Sequence, residues 1–256
     1  MPEQTSVSIE SELKRIFRPS GRRDFLRASG AGGLALLLPA VLAQCTTDSA
    51  KLAGPGPKLN QELGDHDRQA DQEGVTLDFS DDFGVLNYAY ALEQLEAAFY
   101  IQVIATPSPA YSARELTLLR DVRDHEIVHR DFFKAALGPN AIGTLTPDFS
   151  SINFRDRAQV LTIAQIFEDL GVAAYNGAAK LIQHVVYLAV AGKIVSVEAR
   201  HAGAIRDLIH PRSRYFAGDD VINEQGLDRA FDPPQVLAAA DPFIVNPITV
   251  IGLGGH

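Results

Sequence analysis

Residues 92–100 read Leu92-Glu93-Gln94-Leu95-Glu96-Ala97-Ala98-Phe99-Tyr100. With Leu86 and Ala89 before them and Ile104 after, the positions 86, 89, 93, 97, 100 and 104 follow spacings of three and four, which predicts one buried face of a helix. Glu93 sits at the centre of that face. A glutamate is almost never fully buried without a partner, so this residue is out of place unless the face serves more than packing.

The same anomaly recurs three times. A second stripe runs Leu119, Val122, Glu126, Phe133 and Leu137. It is opened by the capping-box sequence Ser112-Ala113-Arg114-Glu115 and closed by Gly138-Pro139. A third runs Leu161, Ala164, Glu168, Val172, Tyr175, Ala179 and Ile182, and a fourth Ala191, Ile194, Glu198, Ala202, Ile205 and Ile209, ending before Pro211. The break between the last two falls near His184, where neither Gly nor Pro marks it. Four helices with one apolar face each predict an all-α four-helix bundle. The short segment around Pro107 and Pro109 makes the first two helices antiparallel neighbours. The 16 residues between helices two and three can extend to about 50 Å. A helix of 24 residues is only about 36 Å long. This connection is therefore read as a long crossover.

Four carboxylates facing one core would repel one another and lose their hydration, so positive charge must lie among them. Lys is nearly absent from the stripes, and Arg130 lies at the flank of the second. Two of the glutamates carry a histidine three residues on, in Glu126-Ile127-Val128-His129 and Glu198-Ala199-Arg200-His201. At that spacing carboxylate and imidazole project from one helix face and can meet one ion. One Glu from each of two helices and Glu-x-x-His from each of the other two is the inward ligand set of di-iron carboxylate bundles. The candidate metal ligands are thus Glu93, Glu126, His129, Glu168, Glu198 and His201. Hard oxygen donors with one imidazole per ion suit two iron ions, with manganese or a mixed pair as alternatives.

An internal repeat supports this set. Residues 93–100 match Glu168-Asp169-Leu170-Gly171-Val172-Ala173-Ala174-Tyr175 at Glu, Leu, Ala and Tyr, and each segment precedes a Glu-x-x-His. The halves read as helical hairpins about an approximate twofold axis. The alignment selects Glu93 over Glu96, which lies about 60° off the stripe centre, has Gly171 at its equivalent position in the repeat and is read as standing behind the ligands. Tyr100 and Tyr175 are read as core filling. His125 points about 100° away from Glu126 and is read as a surface residue or one behind a ligand.

The chain resembles the ferritin-like superfamily, and more narrowly the exported bacterial ferritin-like proteins grouped with desiccation-related proteins. The likeness spans roughly residues 78–245. It is carried by residues 92–100, by Val197-Glu198-Ala199-Arg200-His201 and by Pro242-Phe243-Ile244-Val245. It implies a di-iron or related site that reacts with oxygen or peroxide, by ferrous oxidation or peroxide reduction, in oxidative or desiccation stress. The alternative it carries is a non-catalytic stress protein with a structural or vestigial metal site. Iron storage fits less well, because the segments flanking the bundle are not features of a compact cage subunit.

Composition bounds the rest. The chain of 256 residues is 46% hydrophobic and 21% charged, which is globular composition. A formal net charge of −9 argues against nucleic acid as a partner. The single cysteine, Cys45, excludes a disulfide framework, a multi-thiolate zinc site and a rubredoxin-type electron-transfer module, which leaves the electron donor unassigned. The apolar run Ala31–Ala43 is too short to span a membrane, for which about 20 residues are needed. It follows Gly21-Arg22-Arg23-Asp24-Phe25-Leu26-Arg27, which resembles a twin-arginine export signal. Residues 1–44 are therefore assigned as that signal, which makes the product periplasmic, with Leu42-Ala43-Gln44-Cys45 a weak match to a lipid-attachment box. Residues 45–77, broken by Gly54-Pro55-Gly56-Pro57, read as a tether, 78–210 as the bundle and 211–256 as an extended Gly/Pro-rich tail packed on it. Association into a homo-oligomer is left open by the sequence.

Overall fold

A computed structural model describes residues 73–254. The proposed export signal, Cys45 and most of the proposed tether lie outside the described residues. The chain forms, in order, β1 (Val75–Asp78), α1 (Asp82–Ala105), α2 (Ala113–Leu137), α3 (Arg157–Ala178), α4 (Val185–Ile209), α5 (Pro233–Ala240) and β2 (Ile248–Ile251). Helices α1 and α2 pack as one hairpin and α3 and α4 as the other, giving the four-helix bundle expected from the stripes.

Each helix begins where a side chain can take up its free N–H groups. Asp81 accepts from Phe83 and Gly84, Ser112 and Glu115 form the anticipated capping box, and Asp156 accepts from Ala158 and Gln159. The break that sequence could not place lies at His184, the N-cap of α4. Its position is set from outside the hairpin: the Asp82 carboxylate, at the start of α1, accepts from the backbone N–H of Gln183 and of His184.

The crossover runs along α1. The Asn87 side chain bonds Asn140 and Ile142, Gln94 bonds Gly143 and Leu145, and Phe149 and Phe154 then pack on Phe99. The chain thus travels the length of α1 before α3 starts, so α3 runs antiparallel to α1: residue 100 meets 168, and 175 meets 93. Phe99, wholly buried, also touches Phe167 edge to face and anchors the lower core.

The structure departs from the expectation of one apolar face per helix at α1, which is buried nearly all round. The crossover and the strand segment cover sides that an isolated bundle would leave to water. The ends of the domain also differ from a plain tether and an extended tail. Val75–Asp78 pairs in parallel with Ile248–Ile251, burying Val75 and Leu77, because Val-Thr-Leu-Asp alternates as a half-buried strand does. The tail also carries the two-turn helix α5, whose start is set by Pro233 and an Asp232–Gln235 capping box. Two glycines make these segments fit. A Cβ at Gly84 would stand 1.6 Å from the Asp78 carbonyl oxygen, and one at Gly177 would stand 1.8 Å from that of Phe231. Among the described residues no helix is long and apolar enough to cross a membrane.

Candidate metal centre

The helical phase that makes each stripe apolar brings the four glutamates to one level of the bundle. Glu93, Glu126, Glu168 and Glu198 are each fully buried. His129 and His201 follow their glutamates by three residues and lean into the same layer. All six candidate ligands meet. They fall into two groups of mutually close donor atoms: Glu93, Glu126, His129 and Glu198, and Glu126, Glu168, Glu198 and His201.

The atoms divide with approximate twofold symmetry. His129 Nδ1 lies 2.8 Å from Glu198 Oε1, 3.5 Å from Glu93 Oε2 and 3.6 Å from Glu126 Oε2. His201 Nδ1 lies 2.7 Å from Glu126 Oε1, 3.5 Å from Glu168 Oε2 and 3.7 Å from Glu198 Oε2. Glu126 and Glu198 therefore give one oxygen to each group, whereas Glu93 and Glu168 serve one group each. None of these eight atoms makes a hydrogen bond, although all are buried. Buried polar atoms are nearly always hydrogen-bonded, so eight unbonded donors gathered in two close groups fit a metal-binding site. Oxygens and neutral imidazole nitrogens are the donors that iron and manganese take.

The remaining oxygens are accounted for by two residues that sequence had read as core filling. Tyr100 donates its hydroxyl to Glu168 Oε1 at 2.5 Å, and Tyr175 donates to Glu93 Oε1. Each tyrosine reaches from the opposite hairpin, so each holds the carboxylate that serves a single group. Their place in the repeat was a signal, but pairing across the bundle is not encoded in spacing along one helix.

Electrostatics follow from burial and crowding. Burial pushes Glu168 up to about 8 and, with repulsion from Glu198, holds Glu93 well above the ordinary carboxylate range. Burial acts the same way on Glu126, but the imidazoles of His129 and His201 on either side outweigh it and keep it at about 2. Burial would lower His129, yet Glu126, Glu198 and Glu93 around it raise it to about 12. His201 is raised for the same reason. Arg130 turns away to Asp131, so the two imidazoles are the positive groups nearest the cluster.

Three neighbours complete the surroundings. Glu96 is buried but outside both groups, one turn from Glu93 and against Gly171, and burial raises its pKa. Arg206, on the last turns of α4, is buried between Asp169, the residue after Glu168, and Asp220 of the tail. The tail is thereby tied to the helix that carries Glu168. His125 contacts His201. Sequence gave no signal for the Arg206 pairing, which joins segments that share no periodicity.

Comparison with protein families matches residues 81–211 to a family model described as a ferritin-like domain. The matched span covers the four bundle helices and all six clustered residues. A comparison with curated proteins finds no match.

Proposed function

The chain belongs to the ferritin-like domain family, and from that premise we propose an exported non-haem di-iron carboxylate protein that reacts with oxygen or peroxide. The observation that carries this reading is the convergence of eight buried, unbonded donor atoms into two sets of four. Two iron ions in these positions would supply the two electrons that, with two protons, reduce peroxide to water, or that reduce oxygen to peroxide. Manganese or a mixed pair suits the same donors.

The protein's own groups have separable parts in this. Glu126 and Glu198 would each give one oxygen to either position and so tie the two ions together. Glu93 and Glu168 would each complete one position, and are kept in orientation by Tyr175 and Tyr100. The surrounding core keeps bulk water from the glutamates and strengthens every charge interaction there. Export through the twin-arginine route is supported by Arg22-Arg23 and the apolar run after them. That route carries folded proteins, so the ions can be loaded before export. A role in oxidative or desiccation stress rests on the resemblance carried by residues 92–100 and 197–201.

Metal content per chain after native export, with absorption spectra of the anaerobically dithionite-reduced protein before and after oxygen or peroxide, tests the proposal. The expected result is two iron ions per chain and growth of a near-ultraviolet diferric band with either oxidant. Fewer than two ions per chain would remove the dinuclear reading. Two ions that neither oxidant changes would leave a structural metal site.

A further inference from the structure

His125 precedes Glu126 on α2 and is exposed, outside both groups of donor atoms. Its Nδ1 nevertheless lies 2.9 Å from Nε2 of His201, the nitrogen on the far side of that ring from the cluster. The two rings are 12° from parallel with centroids 5.1 Å apart. The centroid separation is close to the N–N distance plus the centroid-to-nitrogen radius of each ring, so the two nitrogens lie nearly on the line between the centroids and the contact is an in-line hydrogen bond between nearly coplanar imidazoles.

The bond has one useful direction. For His201 Nδ1 to bind a cation it must carry no proton, so the ring proton sits on Nε2. Nε2–H then donates to His125 Nδ1, which must be the bare nitrogen of His125. A partner on the outer nitrogen of a ligating imidazole fixes both its tautomer and its ring orientation.

The internal symmetry is broken at this point. Aligning the two Glu-x-x-His segments places His125 opposite Val197. Valine has no acceptor, and among the described residues the outer nitrogen of His129 has no hydrogen-bond partner. The two donor sets match in composition but not in the support behind their imidazoles.

We propose that His125 is a positioning residue that holds His201 in its metal-binding tautomer, and that it makes the position formed by Glu126, Glu168, Glu198 and His201 the tighter of the two. The inference rests on the dinuclear reading above. The test uses the metal-free full chain titrated with Co2+ without oxygen, followed by calorimetry and visible absorption. Wild type should take up two ions, the first more tightly. His125→Phe should weaken the tighter step by about 10–100-fold, the usual cost of losing an outer partner, and leave the other step in place. His125→Asn, whose Oδ1 can stand where Nδ1 stood, should restore wild-type binding. In the cobalt-loaded wild type, the shifted N–H proton resonance of His201 should persist in water longer than that of His129, and His125→Phe should abolish the difference.

Unchanged binding in a folded His125→Phe variant, or a His125→Asn variant as weak as it, overturns the proposal and leaves the dinuclear reading intact. A wild type that binds fewer than two cobalt ions overturns that reading itself.

Discussion

The Tyr100 hydroxyl donates to Glu168 Oε1 at 2.5 Å across a separation of 68 residues, joining the two hairpins at the level of the buried carboxylates. Its counterpart, Tyr175 to Glu93, does the same from the other side. Tyr100→Phe frees Oε1 of Glu168 without changing the shape of the core. Affinity for the ion at the Glu168 position should fall by about 10–100-fold, with the fold retained, as read by Mn2+ or Co2+ titration. Tyr175→Phe should do the same at the Glu93 position.

The division of oxygens predicts a hierarchy among the glutamates. Glu126→Ala or Glu198→Ala removes a donor from both groups and should leave less than one ion per chain after dialysis. Glu93→Ala or Glu168→Ala should retain close to one. Glu96→Ala should retain two, since Glu96 belongs to neither group. Elemental analysis of the five variants would decide this, and equal loading in all of them would undo the assignment.

Without metal, the cluster should make stability depend on pH in an unusual direction. Glu93, Glu96 and Glu168 have raised folded pKa values and so bind protons that the unfolded chain has released. Their ionised forms cost stability at high pH, and that cost is relieved as pH falls through about 8 toward the ordinary carboxylate range. His129 and His201, also raised, add stability that is complete below their ordinary value of 6.5 and is lost as pH rises. Glu126 acts oppositely: its contribution is present above the ordinary carboxylate range and is lost as pH falls toward about 2. The metal-free chain should therefore gain thermal stability between about pH 7.5 and 5.5. The loaded chain should not, because bound carboxylates and imidazoles carry no proton. Parallel melting curves would show whether the midpoint of the metal-free form rises over that interval while that of the loaded form does not.

Two glycine substitutions should move stability in opposite directions. Gly177→Ala places a methyl group against the Phe231 carbonyl oxygen, where the tail crosses α3 and Phe231 N–H donates to the Ala173 carbonyl. Displacing that crossing should cost about 1–3 kcal/mol in denaturant unfolding. Gly192→Ala, within α4 and facing open space, should add about 0.5–1 kcal/mol.

Arg22→Lys with Arg23→Lys should leave precursor in the cytoplasm if the twin-arginine reading is right. Fractionation followed by immunoblotting measures this, and unchanged delivery to the periplasm would refute it.

Helix periodicity is local, and it was enough to predict that the six candidate residues share one layer of the core. Spacings of three and four around Glu93, Glu126, Glu168 and Glu198 placed each carboxylate on an apolar face, and all four prove fully buried at one level. The histidines followed from the same argument, as did the twofold relation between the hairpins and the need for a crossover long enough to traverse the bundle. What only tertiary structure decided are contacts between segments whose mutual register no local pattern carries. Which oxygen of Glu126 and Glu198 faces which imidazole depends on how the hairpins are set against each other. Tyr100 and Tyr175 have the same spacing whether they fill space or hold a carboxylate, and only the opposite hairpin distinguishes the two roles. The start of α4 is set by Asp82, about a hundred residues earlier, and β1 finds its partner at the far end of the domain. For His125 helical phase left two places open, the surface or a position behind another candidate residue, because it turns away from its neighbour Glu126; its contact with His201 decides for the second, because α4 lies on that side of α2.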